Sequence, residues 1–136
     1  MKNSFSLSIA LSGEHLITIE AKQMRFPGTD GYIGVLANRK PLIAAMIPGL
    51  IKITDIEDRQ IWLGTTGGFC EILNNEVVLL CDSIIRTEEL DYDTMDLEPP
   101  FFRVDHQKMT EKQKIAYVSR MLAAQLINLK KHKSKG

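Results

Sequence analysis

Pro27-Gly28-Thr29-Asp30-Gly31-Tyr32-Ile33-Gly34-Val35-Leu36-Ala37-Asn38-Arg39-Lys40-Pro41-Leu42-Ile43-Ala44-Ala45-Met46-Ile47-Pro48-Gly49 is the most heavily punctuated segment of the chain. Three prolines and four glycines punctuate short apolar runs, so the chain must turn sharply several times within a compact unit. The brief runs at 33–36 and 42–46 are long enough for strands and too short for helices. The stretch contains no obvious nucleophile or metal-ligand cluster, which points to a shaped docking surface.

The flanking sequence carries the same period. Phe5, Leu7, Ile9 and Leu11 alternate with small or polar residues, the mark of a half-buried strand. Residues 16–19 and 23–26 read as two further strands, with Met24 and Phe26 sharing a face. Ile51 and Ile53 alternate with Lys52 and Thr54 up to a turn at Glu57-Asp58, and residues 60–64 return through Trp62. Gly67-Gly68 marks a bulge or a close backbone approach. Residues 69–73 and 77–81 flank Asn74-Asn75-Glu76, where asparagine suits the positive φ of a tight hairpin. Short strands with turn signals between them predict an all-β sandwich or flattened barrel ending near Arg86.

Beyond that point the composition changes. From Asp82 to Glu98 seven acids face a single base, Arg86, and Pro99-Pro100 stops any helix begun there. This acidic stretch reads as a linker, with Phe101-Phe102 either pinning it to the sandwich or meeting a partner. From Thr110 the period becomes helical. Thr110 with Gln113 forms a capping box, and Ile115, Val118, Leu122, Leu126 and Leu129 make one apolar stripe that must be buried. Lys130, Lys131 and Lys133 complement the dipole at the helix end. The predicted organisation is mainly β with an α tail: a sandwich over 1–86, then an acidic linker and amphipathic helix over 87–136.

Composition narrows the function. The 136 residues suit one ordinary domain with an appended helix, and 17 basic side chains balance 17 acidic ones, so no net field favours nucleic acid. Cys70 and Cys81 lie in apolar runs without metal-ligand spacing and read as core residues of a reducing compartment. His15, His106 and His132 are scattered, Gly-x-Ser-x-Gly is absent, and the glycines at 28, 31 and 34 lack a following Gly-Lys-Ser/Thr. No run reaches membrane-spanning length. The residues therefore describe an interaction protein with no visible active site, metal or cofactor.

Several motifs then agree in order and spacing. The stretch 27–43, Pro48-Gly49, Gly67-Gly68-Phe69-x-Glu71, Asn75-x-Val77 and Asp82 resemble the epsilon subunit of rotary F-type ATP synthases, called delta in mitochondria, over about residues 5–91. The resemblance implies a ten-stranded β-sandwich followed by a helical hairpin, here degenerate. It implies a non-catalytic rotor subunit at the foot of the central stalk, peripheral at the cytoplasmic face of the membrane. One side of its sandwich would bind the gamma subunit, and the loop with Asp30 and Gly34 would touch the ring of c subunits. Asp30, Tyr32, Asn38, Arg39, Lys40 and Leu42 are the implied partner-binding residues. Bacterial relatives can raise their helices toward the alpha/beta head and inhibit ATP hydrolysis, and some fold them around ATP.

The departures are specific. Tyr32 stands where the family usually has an acid, Arg39 where it has histidine and Lys40 where it has a small residue. Leu90-Asp91-Tyr92-Asp93-Thr94-Met95 lacks the arginine of the ATP-binding motif, so no nucleotide site is expected. Two alternatives remain at this level: an ATP sensor using Asp91 with Arg103 or Arg120, and a stand-alone β-sandwich adaptor.

Overall fold

The computed structural model describes residues 2–11, 14–87 and 108–134. Nine strands precede one helix: β1 (Phe5–Leu11), β2 (Glu14–Gly28), β3 (Gly31–Leu36), β4 (Leu42–Met46), β5 (Gly49–Asp55), β6 (Gln60–Thr65), β7 (Gly68–Leu73), β8 (Glu76–Cys81), β9 (Ile84–Ile85) and α1 (Glu111–Ser134). The two strands expected at 16–19 and 23–26 are one, because no turn residue separates them. A register shift between Ala21 and Gln23 bends β2 without ending it. With the short β9, which the periodicity did not signal, the described residues hold nine strands, where the resemblance implies ten.

The bend lets β2 serve both layers. Its first half pairs antiparallel with β1, from Phe5↔Ala21 to Leu11↔Glu14. Its second half lies between β3 and β5, with Arg25 opposite both Gly34 and Lys52. One layer is thus β3-β2-β5-β6-β9, and the other runs β4-β7-β8-β1-β2, with β1 and β8 parallel.

Alternation decides what lies between the layers. Phe5, Leu7 and Ile9 from β1, Met24 and Phe26 from β2, Ile51 and Ile53 from β5, and Cys70, Ile72, Val77 and Leu79 from β7 and β8 form the buried core. Both cysteines are free and buried. Burial pushes the Cys70 thiol up to about 12 and the Cys81 thiol up to about 11, so neither is a nucleophile near neutral pH.

The turns follow their residues. Asn74 and Asn75 both take positive φ, 51° and 62°, between β7 and β8. Gly68 has φ of 140°, and a Cβ there would run into the Leu80 carbonyl oxygen, so the glycine pair permits the close approach the sequence suggests. At the β5–β6 turn Asp58 takes φ of 64°. Asp55 Oδ1 accepts the Glu57 and Arg59 amides at 2.9 Å each, and Oδ2 accepts Arg59 Nε at 2.9 Å. Burial alone would raise the Asp55 pKa, but these amides and the Arg59 side chain together hold it below the ordinary carboxylate value.

The helix starts as its capping box predicts. Thr110 N donates to Gln113 Oε1 at 2.9 Å, and Gln113 N donates to Thr110 Oγ1 at 3.2 Å. Val118 and Leu122 are fully buried against Leu50, Trp62 and Ile85, with Tyr117, Met121 and Leu126 around them. Ile115 is exposed at the margin of the stripe, and the side chain of Leu129 lies outside the described residues. Val118 fits where Gly64 has no side chain, since a Cβ at Gly64 would collide with Val118 Cγ1. Glu111, on the same line of the helix, accepts hydrogen bonds at one carboxylate oxygen from Thr66 Oγ1 and Ser83 Oγ, both at 2.9 Å. The acidic stretch 88–98, Pro99-Pro100 and Phe101-Phe102 lie outside the described residues.

Two measurements test these contacts. Leu122→Ala should weaken helix docking by about 3 kcal/mol, and Val118→Asp should release the helix, seen as lost helical circular dichroism with the sandwich still unfolding cooperatively. Loss of the sandwich transition as well would show that the helix belongs to its core. For Asp55, the folded-state pKa is depressed, so its contribution is present above the ordinary carboxylate pKa and lost as pH falls through the depressed value. Urea midpoints should place wild type above Asp55→Asn at about pH 7 and bring the two together near about pH 2. An unchanged gap would contradict the assignment.

Candidate partner-docking surface

The six residues implied as partner-binding do not form one patch. Asp30 and Tyr32 sit at the β2–β3 turn, whereas Asn38, Arg39 and Lys40 lie beyond the other end of β3. Six residues of extended chain separate the two ends by about 20 Å.

At the first end, Asp30 is exposed and Tyr32 is 49% exposed. The Arg25 guanidinium stands over the Tyr32 ring, 5.0 Å from its centroid. Behind the turn, Pro27, Tyr32, Pro48, Tyr117 and Met121 line a cavity of about 170 Å³ between hairpin and helix. At the second end, Asn38 takes φ of 64°. Its amide donates to Asn75 Oδ1 at 2.7 Å and its Nδ2 to the Lys2 carbonyl at 2.7 Å, while Asn75 Nδ2 donates to the Ser4 carbonyl at 2.8 Å. Asn38 is thereby built into a clamp that ties the β3–β4 connection to the β7–β8 turn and the amino-terminal segment. Arg39 is half-buried and its charge acts on the Cys70 thiol, and Lys40 is exposed.

Leu42 is half-buried and packs on the core; the outward side chain of β4 is its neighbour Ile43, 76% exposed. Across the sheet, Ala45 pairs with Phe69, Phe69 with Leu80 and Leu80 with Ala10. Phe69 is 57% and Leu80 45% exposed, so an apolar row crosses the outer face of β4-β7-β8-β1, and in the row beside it Ile43 and Val78 flank the exposed Glu71. Large exposed apolar side chains gathered on one face mark an interaction surface. The residue-by-residue reading missed this face, although β7 and β8 signal it. Phe69 and Leu73 alternate with Cys70 and Ile72, so β7 carries large apolar side chains on both sides, with the exposed Glu71 between the two outward ones.

Among the described residues no cluster of side chains is suited to a metal ion, and no helix is long and apolar enough to cross a membrane. Of the residues considered for nucleotide recognition, Asp91 and Arg103 lie outside the described residues, and Arg120 is half-buried on α1.

Comparison with known proteins agrees with this geometry. Residues 4–87 match the family model of the ATP synthase delta/epsilon chain β-sandwich domain. An ATP synthase epsilon chain 2 of Ralstonia nicotianae is 35% identical over 86 residues, 63% of this chain and 62% of that relative, under two thirds of its length. An ATP synthase epsilon chain of Dichelobacter nodosus is 26% identical over 142 residues, 98% of this chain and 99% of that one. The fold also matches chains in two solved assemblies. One, in the Euglena gracilis mitochondrial ATP synthase (OSCP/F1/c-ring), aligns with TM-score 0.67 and 15% identity, covering 95% of this chain and 83% of that one. The other, in the Tetrahymena thermophila mitochondrial ATP synthase central stalk and c-ring, aligns with TM-score 0.55 and 13% identity, covering 90% and 92%. The β-sandwich, its register and the family match over residues 4–87 together show that this chain belongs to the ATP synthase delta/epsilon chain family.

Proposed function

We propose that this chain is a non-catalytic central-stalk subunit of an F-type ATP synthase. The apolar outer face carrying Ile43, Phe69 and Leu80 supports that reading most directly. A small sandwich with its core already filled gains nothing from presenting three large apolar side chains on one face unless a partner covers them. The gamma subunit is the proposed occupant, with the Asp30–Tyr32 turn directed at the c-ring. Ion translocation, of protons or sodium, belongs to the ring, and this chain meets the membrane only through the complex, at its cytoplasmic face.

The division into a stalk domain over 1–86 and a regulatory tail over 87–136 is part of the proposal. Helix α1 lies docked through Val118 and Leu122, so raising it toward the alpha/beta head to inhibit hydrolysis requires breaking that contact. Each of those side chains contributes roughly 2 kcal/mol by its burial, which partner contacts would have to replace.

Co-purification with the cognate gamma subunit tests the assignment. Ile43→Asp and Phe69→Asp should each reduce retention at least tenfold, about 1.4 kcal/mol or more, with thermal midpoints close to wild type. Leu42→Asp should instead lower the midpoint, because that side chain packs inward. Failure of the wild-type protein to bind gamma, or full retention of both outward-face variants, would remove the proposal.

A further inference from the structure

On the outer face of the other layer, Arg25 of β2 and Lys52 of β5 stand directly opposite one another. Like charges in that position destabilise a sheet, and neither forms an ion pair among the described residues, where the carboxylates of Asp55, Glu57 and Asp58 engage Arg59 and Lys22. Each cation instead lies over an aromatic ring: Arg25 over Tyr32 at 5.0 Å and Lys52 over Trp62 at 5.5 Å. Such stacking holds each charged head over a ring and provides no carboxylate for its N–H donors.

Beside the pair opens a cleft of about 330 Å³, bounded by Arg25, Lys52, Gln23, Leu36 and Thr54. Gly34, the register partner of Arg25, leaves that position of β3 without a side chain, and a Cβ there would meet nothing within 4 Å. Leu36 is 63% exposed at the rim. Among the described residues β3 pairs with β2 alone, so the far side of the cleft is a strand edge that still offers backbone donors and acceptors.

We propose that this cleft receives an extended, carboxylate-bearing segment of a protein partner. The carboxylates would meet Arg25 and Lys52, and an apolar residue would cover Leu36 along the β3 edge. The cleft is lined from three neighbouring strands, β3, β2 and β5, which suits a chain better than a small anion. The proposal deepens the central-stalk reading by assigning an acidic surface to the subunit that meets the Tyr32 end of β3, and in that respect it rests on that reading.

The test uses the full-length ¹⁵N-labelled protein and a capped peptide of alternating glutamate and leucine. Amide shifts should concentrate on β3, Arg25 and Lys52. Affinity should fall about tenfold in the Arg25→Gln/Lys52→Gln double variant, as expected for two partly exposed ion pairs, and fall as salt rises from about 50 to about 200 mM. Gly34→Glu, which fills open space with an acid and leaves the fold intact, should abolish binding. Equal affinity for a glutamine-leucine peptide, unchanged binding by the double variant, or displacement of the peptide by inorganic phosphate at comparable concentration would overturn the proposal. Failure of the wild-type protein to co-purify with a central stalk would instead count against the parent reading, because the peptide titration does not depend on assembly.

Discussion

Strand β2 changes partners halfway along its length, and the two layers are joined through that change. Its 15 residues give one half to β1 and the other to β3 and β5. The register shift at Ala21–Gln23 turns the strand from one layer into the other, with Ala21 fully buried. A bulge adds local twist without losing the ladder on either side. The bend carries Met24 and Phe26 into the same core as Phe5, Leu7 and Ile9, and it leaves Arg25 and Gln23 facing outward.

Most of the sandwich was legible because its physics is local. Period-two alternation places Phe5, Leu7, Ile9, Ile51 and Ile53 inside without knowledge of their neighbours, and the Asn74-Asn75 and Gly67-Gly68 turns declare their backbone angles through their residue types. The capping box at Thr110 was equally direct. Pairing was less accessible. That β1 lies parallel to β8, 70 residues away at Ser6↔Glu76, depends on the whole layer and not on either strand alone. The continuity of β2 was hidden for a related reason: a bulge changes register without requiring glycine or proline, and Glu20-Ala21-Lys22 has neither.

The candidate docking residues were less legible than the fold. The motif that brought Asp30, Tyr32, Asn38, Arg39, Lys40 and Leu42 to notice is a contiguous stretch, but the strand running through it carries its two ends apart. Asn38 shows a second difficulty, since a polar residue in an exposed connection invites a binding role. Here its positive φ and its hydrogen bonds to Lys2 and Asn75 give it enough to do in positioning the chain. Leu42 and Ile43 are chemically alike, and only strand register tells which faces the core. The outward row of Ala45, Phe69 and Leu80 comes from three strands, so it exists as a surface only after pairing.

The helix and the β2–β3 turn are also linked, through Tyr32. Its ring carries Arg25 above it, and the same residue helps line the cavity whose other wall is Tyr117 and Met121 of α1. The Gly49 position lies close against Pro27, where a Cβ would come within 2.8 Å of the proline side chain, so the turn is braced from the side of β5. The helix-facing side is lined by more adaptable groups, a methionine and a tyrosine around open space. Displacement of α1 would therefore remove one wall of that cavity and leave the turn's backbone support on β2 and β5 in place. In this arrangement the backbone of the β2–β3 turn rests on β2 and β5, while the environment of the Tyr32 ring depends on both strand and helix.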